Sequence, residues 1–572
     1  MRFTTVAVDY DGTLAKDGVV APSTVEALER LVVSGRKLIL VTGRILEELL
    51  PLFPQADLCS RIVAENGAVL YRPDTKERNL LSPAAPQSLI EALRRKQVVP
   101  LQVGDVIIAT VRPHEVAALE AIRDTGLEHH VVFNRESVMI LPPGVTKASG
   151  LQAALTELQV SAHNVVGIGD SENDHALFQA AELGVAVANA VSPLRDAADI
   201  VAGRENGEGT AEIVADLLAD DLADRTRGVS RHGIPLGTTR DGRTLTIPPV
   251  GDNVLIAGTS GSGKSTLAHA ILEQLIERGY QTCIIDPEGD YEQVEKAIVF
   301  GNTRQGPVSA DVLTALDHPD AQIVINLVGL PLKDRPAFFM DLLPPLQARQ
   351  RRTGRPHRIL VDETHHLMPT TWRPGVPTLT DMTGMLFVTV HPEQLSPLLY
   401  ERVTHVVTLG TDPWRTLETF ARLVHRPLST APPSAVETGE ALYWRTDQPS
   451  PPAILRTAVP RADRRRHRRK YAEGELPPDR SFYFRGPEGS LNLRAQNLIV
   501  FRQLADGVDD ATWLHHLRRG DYSRWIESAI KDPVLASTVH LVELSASLPA
   551  QDSRKRVTDA IEARYTVPAT GL

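Results

Sequence analysis

The first hydrophobic signal along the chain is a short run rich in β-branched residues, Thr4 to Val8, stopped by Asp9-Tyr10-Asp11-Gly12-Thr13. A run of that kind ahead of a glycine-containing polar cluster predicts a buried strand and its turn. Ser23, with Glu26 three residues on, can cap a helix whose Leu28, Leu31 and Val32 recur at helical spacing. A second strand is expected from Lys37 to Val41, closing on Thr42-Gly43-Arg44, and a third from Val165 to Gly169, closing on Asp170-Ser171-Glu172-Asn173-Asp174. This alternation predicts a doubly wound parallel sheet whose ligands sit at the C-terminal strand ends. Between the second and third ends, about residues 82–143, lie further strand-like and helix-like pieces, Val103 to Val111 and His114 to Arg123. They imply a small α+β cap inserted into that sheet.

A second strand-loop-helix unit starts near Val250. Asn253 to Ala257 reads as a buried strand, residues 258–265 as a glycine-rich loop, and Leu267, Ala268, Ile271, Leu272, Leu275 and Ile276 as one face of a helix that Gly279 ends. Thr282 to Ile285 is a strand running into Asp286-Pro287-Glu288-Gly289-Asp290; Ile359 to Val361 runs into Asp362-Glu363, and Leu386 to Val390 into His391. This is a second α/β sheet, separate from the first. Beyond residue 471 the pattern becomes helical, with Trp513, Leu514 and Leu517 and then Trp525, Ile526 and Ile530 on helical faces that are expected to form a core.

Composition narrows the class without naming a function. The 572 residues allow three or four domains at roughly 150 residues each, and 42% hydrophobic with 23% charged residues excludes a wholly disordered chain. Cys59 and Cys283 are the only cysteines, which excludes a disulfide framework. Asp9 and Asp11 stand where a signal peptide would need its apolar region, and no apolar run reaches the roughly 18 residues of a membrane helix, so a cytoplasmic protein is expected. Net charge is −10, yet residues 461–470 carry seven Arg/Lys in ten positions. That run reads as a solvated linker, with a phosphate-backbone or subunit contact as the alternative.

The first chemistry lies in acids at strand ends. Asp9 and Asp11 flank one residue, so both can approach one ligand, one as an ionised nucleophile toward phosphorus and the other as proton donor and acceptor. Asp170 and Asp174 are suited to hold Mg²⁺ through oxygen, Lys147 to neutralise a pentavalent phosphoryl group, and Thr42 to hydrogen-bond its oxygens. With Glu65-Asn66-Gly67-Ala68 and Val187-Ala188-Asn189-Ala190, these motifs make residues 1–222 resemble a haloacid dehalogenase (HAD) superfamily phosphatase of the Cof type. The resemblance implies Asp9 as nucleophile and Asp11 as general acid/base. It implies Mg²⁺ on Asp9, the Asp11 carbonyl and Asp170, with Asp174 as a further ligand or orienting group. The acid at position 11 leaves a phosphatase or a sugar phosphomutase, and the cap size suggests a small phosphorylated metabolite.

The second chemistry is nucleotide hydrolysis. In the loop from Gly258 through Ser260, Gly261 and Gly263, backbone N–H groups can curl around phosphates; Lys264 reaches the β- and γ-oxygens, and Ser265, followed by Thr266, holds Mg²⁺. Asp362 can orient that ion, and Glu363 can polarise the attacking water, which favours an ATPase over a small-molecule kinase. Here the chain resembles the HerA/FtsK-like branch of P-loop ATPases. That resemblance implies a RecA-like domain, within residues 223–460, and a homo-oligomeric ring with an arginine from the neighbour, for which Arg351, Arg352 and Arg402 are candidates. The sequence has Thr389-Val390-His391 where that branch places a polar sensor, and His365 and His366 are expected to be structural.

The whole-protein expectation is a Mg²⁺-dependent phosphatase fused to an ATPase, with a helical domain of unassigned role at residues 471–572. The alternative is an ATP-driven nucleic-acid remodelling or defence protein whose first domain acts on nucleotides or polynucleotide ends.

Overall fold

The computed structural model describes the chain except residues 228, 230, 374–381, 427, 429–435, 438, 449, 461–475, 477, 479, 490, 531, 546–547 and 566–572. The basic run at 461–470 therefore lies outside the described residues. Among the described residues no helix is long and apolar enough to cross a membrane.

The first sheet has eight strands. Thr5–Val8, fully buried, lies at its middle with Val165–Gly169 on one side and Lys37–Val41 on the other, all parallel. Val8 is level with both Ile168 and Leu40, so Asp9, Thr42 and Asp170 emerge at the same edge. Helix Pro22–Val33 starts with Pro22 at its first turn, Ser23 already inside it, and carries no side-chain cap. Proline's fixed φ sets the start that Ser23 was expected to set.

A separate four-stranded antiparallel sheet, ordered His130–Asn134, Ser137–Leu141, Ile108–Val111 and Gln102–Val103, packs against helices Gln87–Arg95 and Glu115–Thr125. The expected single strand from Val103 to Val111 is broken. The buried Glu65 carboxylate of the first domain accepts the N–H groups of Asp105, Val106 and Ile107 at 2.8 to 3.0 Å, which bends the segment and ties the cap to the core.

The second large sheet has seven parallel strands, with Val254–Gly258 between His405–Leu409 and Met385–Thr389. Four antiparallel strands extend it, Glu440–Arg445, Ala453–Thr457, Ile234–Thr239 and Thr244–Ile247. The C-terminal helices enclose Trp513, whose indole N–H donates to Ser553 Oγ at 3.0 Å, with Tyr522 stacked on it.

The two large sheets meet at their N-terminal strand ends. The His163 ring, two residues ahead of Val165–Gly169, stacks on Tyr280, two residues ahead of Thr282–Asp286, with centroids 3.6 Å apart. The buried Glu182 carboxylate accepts the Tyr280 hydroxyl at 2.9 Å and Arg2 at 2.8 Å. Within the second domain Gln281 N–H donates to His357 Nδ1 at 2.8 Å, and the His357 ring meets His163 across the seam with centroids 5.6 Å apart. Because these contacts join the amino ends of both sheets, the carboxyl ends, where Asp9 and the glycine-rich loop lie, face away from each other.

This seam is acid-sensitive. His357 is buried and accepts at Nδ1, so protonation there would turn a donor against the Gln281 N–H; burial, with His163 and Arg355 nearby, holds its pKa well below the usual value. An unfolded histidine takes up its proton near pH 6.5 while the folded one does not, so stability is lost as pH falls below that point, by about 1.4 kcal/mol per pH unit. Thermal melts between pH 8 and 5 should show His357's share of the loss below about pH 6.5, and His357→Asn, which keeps an acceptor, should make the fall shallower by that share. Parallel curves for the two proteins would refute the account of the seam.

Candidate functional site

At the carboxyl edge of the first sheet, one oxygen each of Asp9, Asp170 and Asp174 lies within 4.8 Å of the others, and all three residues are buried. Lys147 is fully buried among them, donating to Asp9 Oδ1 at 2.6 Å and Asp174 Oδ1 at 2.7 Å. It opens helix Lys147–Leu158, whose start is fixed by a reciprocal cap between Thr146 and Ser149. Asp174 is pinned through its other oxygen, which accepts the N–H groups of Asp170 at 2.9 Å and Ser171 at 3.0 Å. Gly12, at φ +77°, leaves room for Asp170: a Cβ there would collide with that carboxylate.

Burial, partly opposed by Lys147, pushes the Asp9 carboxyl well up from its usual range, and Asp170 rises for the same first reason with Asp174 adding to it. Lys147 moves the other way. Burial opposes its charge, but Asp174 and Asp9 outweigh that and raise it. With the three carboxylates ionised, Lys147 leaves two negative charges, of which Arg135 of the cap meets one at Asp170. A divalent cation in place of Arg135 would balance the cluster. Among the described residues nothing donates to the buried Asp9 Oδ2, and an all-oxygen donor set suits Mg²⁺, so these residues fit the ion.

Asp11 and Thr42 both bond Arg44. The Asp11 carboxylate turns outward, held at both oxygens by the Arg44 fork at 2.7 and 2.6 Å. Thr42 Oγ1 accepts the Arg44 N–H at 3.1 Å, which shapes the turn that delivers the guanidinium. Asp11, Gly12, Arg44, Arg135 and Asn189 line a cavity of about 700 Å³. Arg135, from the cap, contacts Asp170. Nothing in the sequence marks it, since an arginine at a hairpin tip has no local signature.

In the second domain Gly258 ends strand Val254–Gly258 at φ +155°, where a Cβ would strike the Leu409 carbonyl. Helix Lys264–Glu277 follows the loop that holds Ser260, Gly261 and Gly263, and it carries Lys264, Ser265 and Thr266 in its first turn. Lys264 Nζ donates to the Thr259 carbonyl at 2.9 Å, folded back over the loop. Asp362 is buried, and burial with Glu363 and Asp286 nearby raises its carboxyl well above the usual range. Glu363 has left-handed backbone angles, φ 40° and ψ 51°, costly for a residue with a side chain. His365 Nδ1 lies 3.5 Å from Glu363 Oε2 and 3.2 Å from Thr389 Oγ1. Thr389 Oγ1 also accepts the His391 N–H at 3.1 Å. Asp286, not singled out as a site residue in the sequence, organises the neighbouring loop by accepting the N–H groups of Gly289 at 2.8 Å and Tyr291 at 2.8 Å.

Comparison with known proteins separates the same two units. Residues 6–112 and 120–214 match the family model described as haloacid dehalogenase-like hydrolase. Residues 247–360 match the one described as the central domain of helicase HerA. A phosphoglycolate phosphatase of Methanothermobacter thermautotrophicus is 33% identical over 217 residues, spanning 36% of this chain and 96% of that protein. Phosphoglycolate phosphatase 2 of Saccharolobus solfataricus is 30% identical over 228 residues, 38% of this chain and 93% of its own length. Among solved structures, a haloacid dehalogenase-like hydrolase from Bacteroides thetaiotaomicron aligns at 21% identity, over 38% of this chain and 99% of that one, with a TM-score of 0.34.

Proposed function

Through its N-terminal domain the chain belongs to the haloacid dehalogenase-like hydrolases, and from that premise we propose that residues 1–222 hydrolyse a small phosphate ester through an aspartyl-phosphate on Asp9. The observation that carries the reading is the buried ammonium of Lys147 shared between Asp9 and Asp174. It holds one carboxylate ready beside positive charge at the sheet edge, next to the cavity that Asp11 and Gly12 line. An Asp9 oxygen bonds to phosphorus as the ester P–O bond breaks, and Asp11 gives its proton to the leaving oxygen. Water then attacks phosphorus, Asp11 takes water's proton, and phosphate leaves Asp9 free. Arg44 must release Asp11 for either transfer, which makes it a positioning residue. Thr42 would bind phosphoryl oxygens. Mg²⁺ held by Asp9, Asp170, Asp174 and the Asp11 carbonyl would offset repulsion between carboxylate and phosphate.

The relatives named for phosphoglycolate support a substrate of that size, a phosphate on a short carbon chain. In the same proposal residues 223–460 hydrolyse ATP, with Lys264 and Ser265 on its phosphates and ion, Asp362 orienting the ion and Glu363 polarising water. The test is turnover of p-nitrophenyl phosphate and a panel of phosphorylated metabolites by the full chain with Mg²⁺. Release of phosphate from a small ester is expected, and it should cease on chelation. No turnover of any ester would contradict the reading.

A further inference from the structure

The cavity beside Asp9 is walled almost wholly by the first domain's core. Among the described residues, the cap contributes one lining side chain, Arg135. It stands at the two-residue turn between His130–Asn134 and Ser137–Leu141, with left-handed φ of 52°. Its side chain is 53% exposed, yet it reaches into the cavity to a carboxylate, Asp170, that is wholly buried. The other guanidinium there, Arg44, is already held by both oxygens of Asp11. The cap's own strand packs just below: Met139 lies against Gly43, so the hairpin is seated on the core and its tip is held over the cavity mouth.

We propose that Arg135 reads a second anionic group on the substrate, a carboxylate on the leaving-group side of the phosphate. This deepens the phosphatase reading and rests on it. The charge count gives the reason. Lys147 leaves two negative charges in the acid cluster, and Arg135 meets one of them. When a divalent cation fills that deficit, the guanidinium has no remaining charge to neutralise there. It stays tethered at the hairpin tip, on the side of the cavity opposite the core. A phosphoryl group against Asp9 and Lys147 directs its leaving group into that space. A planar five-donor fork matches a carboxylate with two parallel hydrogen bonds, whereas an uncharged hydroxyl or methyl gives it no such match.

The test pairs two esters that differ only at the end of the leaving group. 2-Phosphoglycolate carries a carboxylate where ethyl phosphate carries a methyl group, and 3-phosphonopropionate and propylphosphonate, with CH2 in place of the ester oxygen, form the matching non-hydrolysable pair. Wild-type full-length protein with Mg²⁺ should favour the carboxylate in kcat/KM and, by calorimetry, in binding. Arg135→Gln should lower both preferences by about 100-fold, the worth of a charge-assisted fork; Arg135→Lys, which keeps the charge but not the fork, should fall between. An unchanged preference in Arg135→Gln, or none in the wild type, overturns the inference even if both esters are hydrolysed. Arg135-dependent binding of 3-phosphonopropionate without turnover of either ester upholds the anion site and refutes the phosphatase reading.

Discussion

Lys147→Ala is expected to lower ester hydrolysis by about 10³-fold or more and, in the absence of divalent cations, to destabilise the first domain by about 3 to 5 kcal/mol. The activity loss follows from removing the one buried cation in contact with Asp9, at the point where negative charge concentrates in the transition state. The stability loss follows from the same contact. Without the ammonium, Asp9 and Asp174 become buried acids with no paired charge, and breaking a buried ion pair on one side costs in that range. Two responses separate this from general damage. Mg²⁺ should restore stability more in Lys147→Ala than in the wild type, because the variant's cluster has a larger charge deficit, and it should not restore turnover. Lys147→Met, similar in length but neutral, should behave like alanine. Thermal melts with and without Mg²⁺, beside kcat measurements, check both parts; a variant that retains turnover would show that the lysine only fills space.

The second large effect lies at the other site. Glu363→Gln is expected to lower ATP hydrolysis by about 100-fold or more, the usual contribution of a positioned general base, while ATP binding measured by calorimetry persists. Binding should survive because the proposal assigns the phosphates to Lys264, at the start of its helix, and to the loop N–H groups, and not to Glu363. The left-handed backbone at Glu363 places its side chain beside His365 and, through it, Thr389. Burial, with His366 close by, pushes His365 down to about 4, so at neutral pH its ring is uncharged and able to accept or donate through Nδ1 without adding a cation beside the acids. Ester hydrolysis should be unaffected, since the two sheets join at their amino ends. Loss of ATP binding in Glu363→Gln would mean that the residue shapes the loop and does not act on water.

How much of this was legible in the sequence differs between the two kinds of residue involved. Asp9, Asp170 and the 258–265 loop could be placed because a short β-branched run followed by polar or glycine residues marks a strand end, and parallel sheets gather such ends at one edge. Lys147 was readable as a residue just ahead of a helix, but its burial between two acids was not, since burial depends on partners 138 and 27 residues away. Asp11 shows the limit of spacing. Two residues from Asp9, it could be expected beside it, yet Arg44 draws its carboxylate outward. The cap hairpin tip, the Glu65 grip on the cap and the Tyr280–Glu182–His163 seam all depend on contacts between separate elements, and no periodicity encodes them. The antiparallel flank was missed for a similar reason. Ile234–Thr239 pairs with Ala453–Thr457, from the far end of the domain, and each is a short strand without a motif.

The central claim is that Asp9 carries the phosphoryl group. It is tested most directly by quenching the full chain in acid during turnover of a small phosphate ester with Mg²⁺ and analysing its peptides by mass spectrometry. The account predicts one added phosphoryl group on the peptide that contains Asp9, absent in Asp9→Asn, which should also have lost turnover. Turnover that persists in Asp9→Asn, or a phosphoryl group trapped on another residue, would contradict it.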